Sequence, residues 1–277
     1  MKSILVVDDD SAIRLLLADV LHEAGYTVDM AEDGIDGLEK LRAKSYDLVL
    51  LDIWMPRMNG LDLLAKLHGE SARPKVIVMT ADNTPEVLLT TIRSQAYQYM
   101  PKPFEPRALK EMVKKVLAAP GGAAPIEVIS ARPDWVELLV PCELAVVDRI
   151  QNFLMHLKAD LPSEIRETVG RAFHELLLNA IEWGGELDPN RKVRIAFLRA
   201  KRMLLYRIAD PGRGFNLDAL PHAAVGNPPS EPFGHVKVRE EKGLRAGGFG
   251  ILLARSMVDE LLYNEARNEV VFVKYLD

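Results

Sequence analysis

This chain has a single cysteine and no long apolar run, and both features limit the classes of protein to which it can belong. A single cysteine, Cys142, among 277 residues excludes an intramolecular disulfide and suits a reducing compartment. No uninterrupted stretch of about 18 apolar residues occurs, so the sequence predicts no membrane span. The opening residues enter a strand-like run at once, so we expect no signal peptide before the fold. The expectation is a cytoplasmic protein with no membrane partner.

Excess positive charge is also lacking. The formal net charge is −5, and neither half of the chain carries more basic than acidic residues. Nucleic-acid-binding domains carry clustered basic charge, so the sequence predicts no nucleic-acid partner. The six histidines show no metal-ligand spacing. At this length we expect about two domains.

Acidic residues follow two strand-like apolar runs in the first half. Asp8, Asp9 and Asp10 follow residues 4–7, and Asp52 ends the run that begins at 48. Ligands of an open parallel α/β sheet bind at the carboxyl ends of its strands. Converging carboxylates there suggest a site for Mg²⁺, which prefers hard oxygen ligands. The alternative is that the aspartate triplet only caps the following helix.

Two later strand-like runs, 76–79 and 97–100, lead to Thr80 and to Lys102. Carboxylate, hydroxyl and ammonium groups at successive strand ends are suited to handling phosphate. Because X-Pro bonds have only a small trans preference, a cis Lys102–Pro103 bond is compatible with the sequence. The motifs ILVVDDD, LVLLDIWMPRMNG, VIVMTAD and YQYMPKPF occur in this order. They make residues 1–118 resemble a response-regulator receiver domain, an α/β fold with a flavodoxin-like, doubly wound, five-stranded parallel sheet.

This resemblance implies a set of roles in phosphoryl transfer. Asp52 would accept the phosphoryl group from an upstream sensor histidine kinase, with Mg²⁺ held by Asp8, Asp9 and Asp52. Thr80 and Lys102 would contact the transferred group. A further residue, Tyr99, would be the aromatic side chain that turns inward when the threonine is recruited.

Composition marks a boundary between the halves. Residues 118–125 are small and uncharged and are rich in proline and glycine, so we expect a flexible linker at 119–131 and a second domain at 132–277. Apolar patterning predicts an α+β sandwich, with helices on one face of a mixed, mostly antiparallel sheet. Residues 211–247 lack sustained periodicity. A structureless stretch of that length is usually a functional lid or disordered.

Three features of the second half carry chemistry. Glu175 and Asn179 share one helix face, although a solvent-facing polar pair is the simpler interpretation. Asp210 ends a strand before a glycine-rich turn, which is also compatible with an ordinary Asp-Pro-Gly turn. Gly248 and Gly250 begin a helix, where backbone N–H groups favour a phosphate.

Together, the motifs FHELLLNA, ADPGRGF and GGFGILLARSMVDEL resemble the N, G1 and G2 boxes of the GHKL ATPase and kinase superfamily, which has a Bergerat-type ATP-binding fold. The short domain is most similar to the anti-sigma-factor serine kinase branch. The resemblance implies that Mg²⁺ and ATP are bound, with Asn179 as metal ligand, Glu175 as general base, Asp210 on the adenine, Gly212 and Gly214 along the base, and Gly248, Gly250 and Arg245 at the phosphates.

Trp183 and His174 both bear on the expected kinase activity. The branch commonly has histidine where this chain has Trp183, so catalysis is less secure than binding. His174, beside Glu175, could be a phosphoacceptor, but no two-helix dimerisation module precedes it, and a role in helix packing is favoured.

Three functions follow from the resemblance. The first is a kinase that phosphorylates a serine of a downstream regulatory protein, such as an anti-sigma-factor antagonist. The second is a non-catalytic ATP-binding switch that sequesters a sigma factor or its antagonist, and the third is a histidine-kinase-like enzyme that acts on another protein. The sequence leaves a homodimer open.

Overall fold

Two compact units, Met1–Pro125 and Ile126–Asp277, make up the computed structural model of this chain. The structure describes residues 1–67, 73–82, 84–119, 125–157, 160–215, 234–241 and 248–276. Among the described residues, no helix is both long enough and apolar enough to cross a membrane.

The first unit alternates strands and helices around a five-stranded parallel sheet. The strands are β1 (Ser3–Val7), β2 (Thr27–Ala31), β3 (Leu48–Asp52), β4 (Lys75–Thr80) and β5 (Gln98–Pro101). The helices are α1 (Ser11–Glu23), α2 (Gly34–Ala43), α3 (Gly60–Lys66), α4 (Pro85–Arg93) and α5 (Pro106–Ala118). The spatial order is β2-β1-β3-β4-β5.

This strand order reverses direction at the β1–β3 pair, and that is where a crevice opens in sheets of this kind. The pairing of β1 with β3 places Val7 opposite Leu51, so the residues that follow both strands emerge side by side. Strands β1 and β3 are almost entirely buried, as expected for parallel strands covered by helices on both faces. The core thus fixes the backbone from which Asp8 and Asp52 project.

The second unit has a six-stranded sheet in the order β10-β11-β9-β8-β7-β6. Its strands are β6 (Glu127–Arg132), β7 (Trp135–Pro141), β8 (Lys192–Ala200), β9 (Met203–Ala209), β10 (Glu260–Tyr263) and β11 (Glu269–Tyr275). Its helices are α6 (Leu144–His156), α7 (Ser163–Asn179), α8 (Gly234–Glu241) and α9 (Gly250–Met257), and a π-helical turn, Ala180–Gly184, extends α7.

An aromatic cluster joins the helices of the second unit to its sheet. Tyr206 of β9 stacks on Phe272 of β11, with ring centroids 4.7 Å apart. Phe173 of α7 lies 5.4 Å from the same ring, and Phe197 of β8 lies 5.0 Å from it. All four side chains are buried. Such ring contacts stabilise the fold beyond the effect of the apolar area that they bury. They hold α7 against the sheet.

The fold class expected from the sequence is confirmed, but three details differ. The linker expected at 119–131 overlaps β6, so the second unit begins before residue 132. Strand β6 is half exposed, and its alternation is too weak to stand out beside the small-residue stretch. Within the stretch 211–247, expected to be irregular, residues 234–241 form α8. Every strand pair of the second sheet is antiparallel among the described residues, rather than mixed.

Candidate functional site

Three carboxylates converge at the carboxyl edge of the first sheet. One oxygen each from Asp8, Asp9 and Asp52 lies within 4.8 Å of the others. Asp8 and Asp52 are buried, whereas Asp9 is exposed. This set of hard oxygen donors, open on one side, fits a divalent cation such as Mg²⁺. Asp10 has the other role considered for the triplet, because its carboxylate caps α1 by accepting the Ala12 N–H at 2.8 Å.

Lys102 bridges two of these carboxylates. Its Nζ lies 2.6 Å from Asp8 Oδ2 and 3.1 Å from Asp52 Oδ1. Burial lowers the pKa of Lys102, but the two carboxylates outweigh it and raise that pKa overall. Burial raises the pKa of Asp52, and Lys102 only partly offsets this effect. The lysine is therefore a fixed positive charge beside the predicted nucleophile. The Lys102–Pro103 bond is cis.

Thr80 and Tyr99 are connected through the backbone of Asp82. The Asp82 N–H donates to Thr80 Oγ1 at 3.1 Å, and the Tyr99 hydroxyl donates to the Asp82 carbonyl at 3.3 Å. Tyr99 is only 3% exposed, so its ring lies inward in this conformation. Burial raises the pKa of Tyr99 to about 12, which keeps its hydroxyl protonated as a donor.

The second unit contains a cavity of about 870 Å³. Pockets of this size accommodate small molecules and cofactors. All seven described residues to which the sequence assigned nucleotide roles line it: Glu175, Asn179, Asp210, Gly212, Gly214, Gly248 and Gly250. The structure thus brings together residues from α7, the end of β9 and the start of α9.

Asp210 is closely packed by glycines. Its Oδ1 accepts the Gly212 N–H at 2.8 Å, and a Cβ added at Gly212 would lie 2.7 Å from that oxygen. A Cβ at Gly184, in the π-helical turn, would overlap the Asp210 carboxyl group. Burial raises the pKa of Asp210, while the Gly212 N–H and the Arg191 charge act in the opposite direction. The glycines therefore give a half-buried carboxylate a fixed orientation in the cavity wall.

Glu175 and Asn179 lie where α7 meets the start of α9. A Cβ added at Gly250 would lie 2.6 Å from Glu175 Oε2 and 3.4 Å from Asn179 Nδ2. Glycine lets the first turn of α9 lie directly against these side chains, whereas a Cβ at this position would require the Glu175 carboxylate to move. Gly248, with φ +101°, occupies the left-handed region that glycine adopts readily. The approach brings the N-terminus of a helix, where N–H groups favour anions, to a carboxylate and an amide.

Two further expectations concern histidine and tryptophan positions. His174 Nδ1 lies 2.7 Å from Gln151 Oε1 of α6, so it ties α7 to α6 and has a helix-packing role. Trp183 lines the cavity and is 44% exposed. Arg245 lies outside the described residues, as does most of the expected lid.

Comparisons with known proteins divide the chain in the same way. Residues 4–114 match the response regulator receiver domain, and residues 140–274 match the histidine kinase-like ATPase domain. DNA-binding response regulator MtrA of Mycobacterium tuberculosis is 32% identical over 203 residues, 72% of this chain and 87% of that protein. The chain belongs to the response regulator family.

Other relatives match the receiver domain only. Response regulator MprA of Mycobacterium ulcerans is 36% identical over 115 residues, 42% of this chain and about half (48%) of that protein. Chemotaxis protein CheY4 of Vibrio cholerae is 29% identical, with a TM-score of 0.41, and the match covers 42% of this chain and 98% of that one. Response regulator TrrA of Thermotoga maritima is 41% identical, with a TM-score of 0.39, over 42% of this chain and 99% of that one.

Sequence reasoning missed several residues of the ATPase-domain cavity. Gly184 could have been found, because it closes the Asn179–Gly184 motif at a fixed spacing. Arg191, Tyr263 and Asn268 gave no such signal. Asn268 Nδ2 donates to the Gly212 carbonyl at 3.0 Å, but this bond joins the residue before β11 to a turn 56 residues away in the chain. No local pattern encodes a contact of that kind.

Proposed function

We propose that this response regulator accepts a phosphoryl group at Asp52 and thereby controls an ATP-dependent protein kinase activity of its ATPase domain. The phosphoryl donor is an upstream sensor histidine kinase. The acceptor of the kinase is a serine on a regulatory protein, such as an anti-sigma-factor antagonist. The observation that carries the kinase proposal is one cavity wall that contains Glu175, Asn179 and Asp210.

In the receiver domain, an oxygen of Asp52 attacks the phosphorus of a phosphohistidine. The new O–P bond gives an acyl phosphate as the P–N bond to histidine breaks. Lys102 lies 3.1 Å from Asp52, and this contact supports its role as a fixed cation for the incoming charge. Asp8 and Asp9 would hold the divalent ion, which supplies neutralisation of the charge on the transferred group.

In the ATPase domain, Asp210 would accept a hydrogen bond from the adenine amino group, and Asn179 would hold the cation on the phosphates. Glu175 would take the proton of the substrate serine as its oxygen bonds the γ-phosphorus and the bond to ADP breaks. The closeness of Glu175 Oε2 to Gly250 supports this role, because it puts the base beside the helix N-terminus where phosphates bind.

A second candidate function is a non-catalytic ATP-binding switch that sequesters its partner. The specific observation in its favour is Trp183, an indole in the cavity wall where the related kinases have an imidazole. An indole N–H is a donor only and cannot exchange a proton near neutral pH as histidine does.

Labelled ATP added to the full chain with a candidate partner separates these functions. Phosphoserine on the partner, lost in Glu175→Gln while ATP still binds, supports the kinase. Glu164→Gln is the matched control, because Glu164 lies on the same helix and is exposed. Binding without transfer supports the switch, and phosphohistidine on the partner supports the histidine-kinase-like enzyme. Equal transfer by Glu175→Gln and wild type contradicts the role of Glu175.

A further inference from the structure

Arg191 connects three segments around the Asp210 end of the cavity. It donates from Nη2 to the Pro211 carbonyl at 2.9 Å, and its Nη1 pairs with Glu186 Oε1 at 2.9 Å. Its own carbonyl accepts the Cys142 N–H at 3.0 Å. The residue therefore joins the loop after α7, the end of β7 and the turn that follows Asp210. It also lines the cavity itself.

The loop that carries this arginine has an unusual backbone. Glu186 and Leu187 are consecutive non-glycine residues with φ of +57° and +56°. Non-glycine residues rarely adopt this left-handed region, because it strains their backbone. Surrounding bonds hold the strained pair, among them Leu187 N–H to the Ile181 carbonyl at 3.1 Å. The ion pair of Glu186 with Arg191 is part of this restraint, so the conformation of the loop and the position of the guanidinium are coupled.

Charge is the second reason to single out Arg191. Three titratable groups interact electrostatically with Asp210: Cys142 after β7, Arg191 before β8 and Tyr263 of β10. Burial raises the pKa of Cys142 to about 11 and that of Tyr263 to about 12, so both are neutral near pH 7. Arg191, although paired with Glu186, is therefore the charged group that favours the ionised form of the half-buried Asp210 carboxylate.

We propose that Arg191 is a positioning residue that holds Asp210 in place as an ionised acceptor, and so sets the pH range over which ATP binds. This inference rests on the proposed function, because it takes the ligand's amino group to be the donor. An ionised carboxylate only accepts hydrogen bonds, whereas a protonated one presents a donor. Protonated Asp210 would face the amino group donor to donor, and binding would weaken.

The direction of the effect can be worked out. Loss of the Arg191 charge removes an influence that lowers the pKa of Asp210, so the pKa rises further. The carboxylate then becomes protonated at a higher pH. As the pH falls, ATP affinity should begin to drop earlier in Arg191→Gln than in wild type. Below the titration midpoint the drop approaches about tenfold per pH unit.

The experiment measures ATP affinity of the full chain, with Mg²⁺ at constant ionic strength, from neutral to acid pH. ATP itself titrates in this range, but that contribution is common to all variants and cancels in the ratio to wild type. For Arg191→Gln, the loss relative to wild type should grow as pH falls. Arg213→Gln removes the same charge from another part of the cavity wall, and its ratio should stay constant with pH.

Arg191→Lys tests charge separately from geometry. Lysine keeps the charge but cannot bond Glu186 and Pro211 through two nitrogens of one planar group. Its affinity should be lower than wild type by a factor that does not change with pH. If the ATP affinity of Arg191→Gln relative to wild type does not change with pH, the proposal is overturned. A relative affinity of Arg191→Lys that changes with pH also overturns it. If Arg191→Gln does not fold, Arg191→Lys alone provides the test. Absence of ATP binding by wild type at every pH would instead refute the proposed function.

Discussion

Replacement of Asp210 by asparagine is the most informative single change in the ATPase domain. Asparagine has nearly the same shape, and its amide oxygen can still accept the Gly212 N–H that Asp210 Oδ1 accepts at 2.8 Å. In the proposed binding mode, the other end of the amide is then a donor that faces the adenine amino group. The substitution therefore preserves the turn and reverses the polarity of one recognition contact.

The expected loss of ATP binding free energy follows from the cost of leaving a buried polar group unpaired, about 1–3 kcal/mol. At about 1.4 kcal/mol per tenfold change, Asp210→Asn should weaken ATP binding roughly 5- to 150-fold. ATP at 100 times its dissociation constant stabilises wild type by about 2.7 kcal/mol. A variant that binds about 50-fold more weakly would gain only about 0.6 kcal/mol at the same ATP concentration.

Calorimetry measures the affinity, and thermal unfolding with and without ATP measures the stabilisation. Because burial raises the pKa of Asp210, its charge costs the folded state free energy near neutral pH. Asp210→Asn removes that charge, so the unliganded variant should be at least as stable as wild type. Asp134→Asn, at an exposed position outside the cavity, is the matched control. Unchanged ATP affinity in Asp210→Asn would refute the recognition role, and a less stable unliganded protein would refute the electrostatic argument.

Three other predictions concern phosphorylation, catalysis and coupling. Asp52→Asn should abolish Mg²⁺-dependent labelling by a small acyl phosphate, as measured by intact mass, whereas Asp62→Asn, at an exposed position, should label fully. Gly250→Ala should displace the Glu175 carboxylate, since the new Cβ would lie 2.6 Å from Oε2. We expect phosphotransfer to be about 100-fold slower while folding is intact. An unchanged rate of phosphotransfer would contradict the role of this close approach. Tyr99→Phe removes the hydroxyl bond to the loop after Thr80, and should reduce the effect of beryllofluoride on ATP affinity without preventing either ligand from binding; an effect equal to that in wild type would exclude a role for the hydroxyl.

The sequence predicted the acidic cluster and seven residues of the cavity wall because each belongs to a short motif at the end of a regular element. Asp52 ends a buried strand, and Glu175 and Asn179 are one helical turn apart, so local periodicity places each of them. The same reasoning could not decide which residue of the aspartate triplet caps α1 and which belong to the acidic cluster. That division depends on the backbone after β1, where Asp10 turns to the helix and Asp8 to Lys102.

Contacts between distant segments explain what the sequence did not predict. Gly185 packs so closely on Cys142 that an added Cβ would overlap the sulfur. On the adjacent residue, Gly184, an added Cβ would overlap Asp210. Three strand or turn ends meet there, and none of them carries a local signal of the others. The role inferred for Arg191 depends on the same meeting point, which is why it emerged only from the structure.

The carboxylate cluster and Lys102 belong to the first unit, and the residues of the cavity wall belong to the second. In the proposed function, control of one site by the other is an equilibrium coupling, typically worth about 1–3 kcal/mol. Such coupling is reciprocal: the factor by which beryllofluoride changes ATP affinity must equal the factor by which ATP changes beryllofluoride affinity. Measuring both factors on the full chain closes the thermodynamic cycle. Unequal factors would show that a further equilibrium, such as self-association, is linked to one of the two ligands.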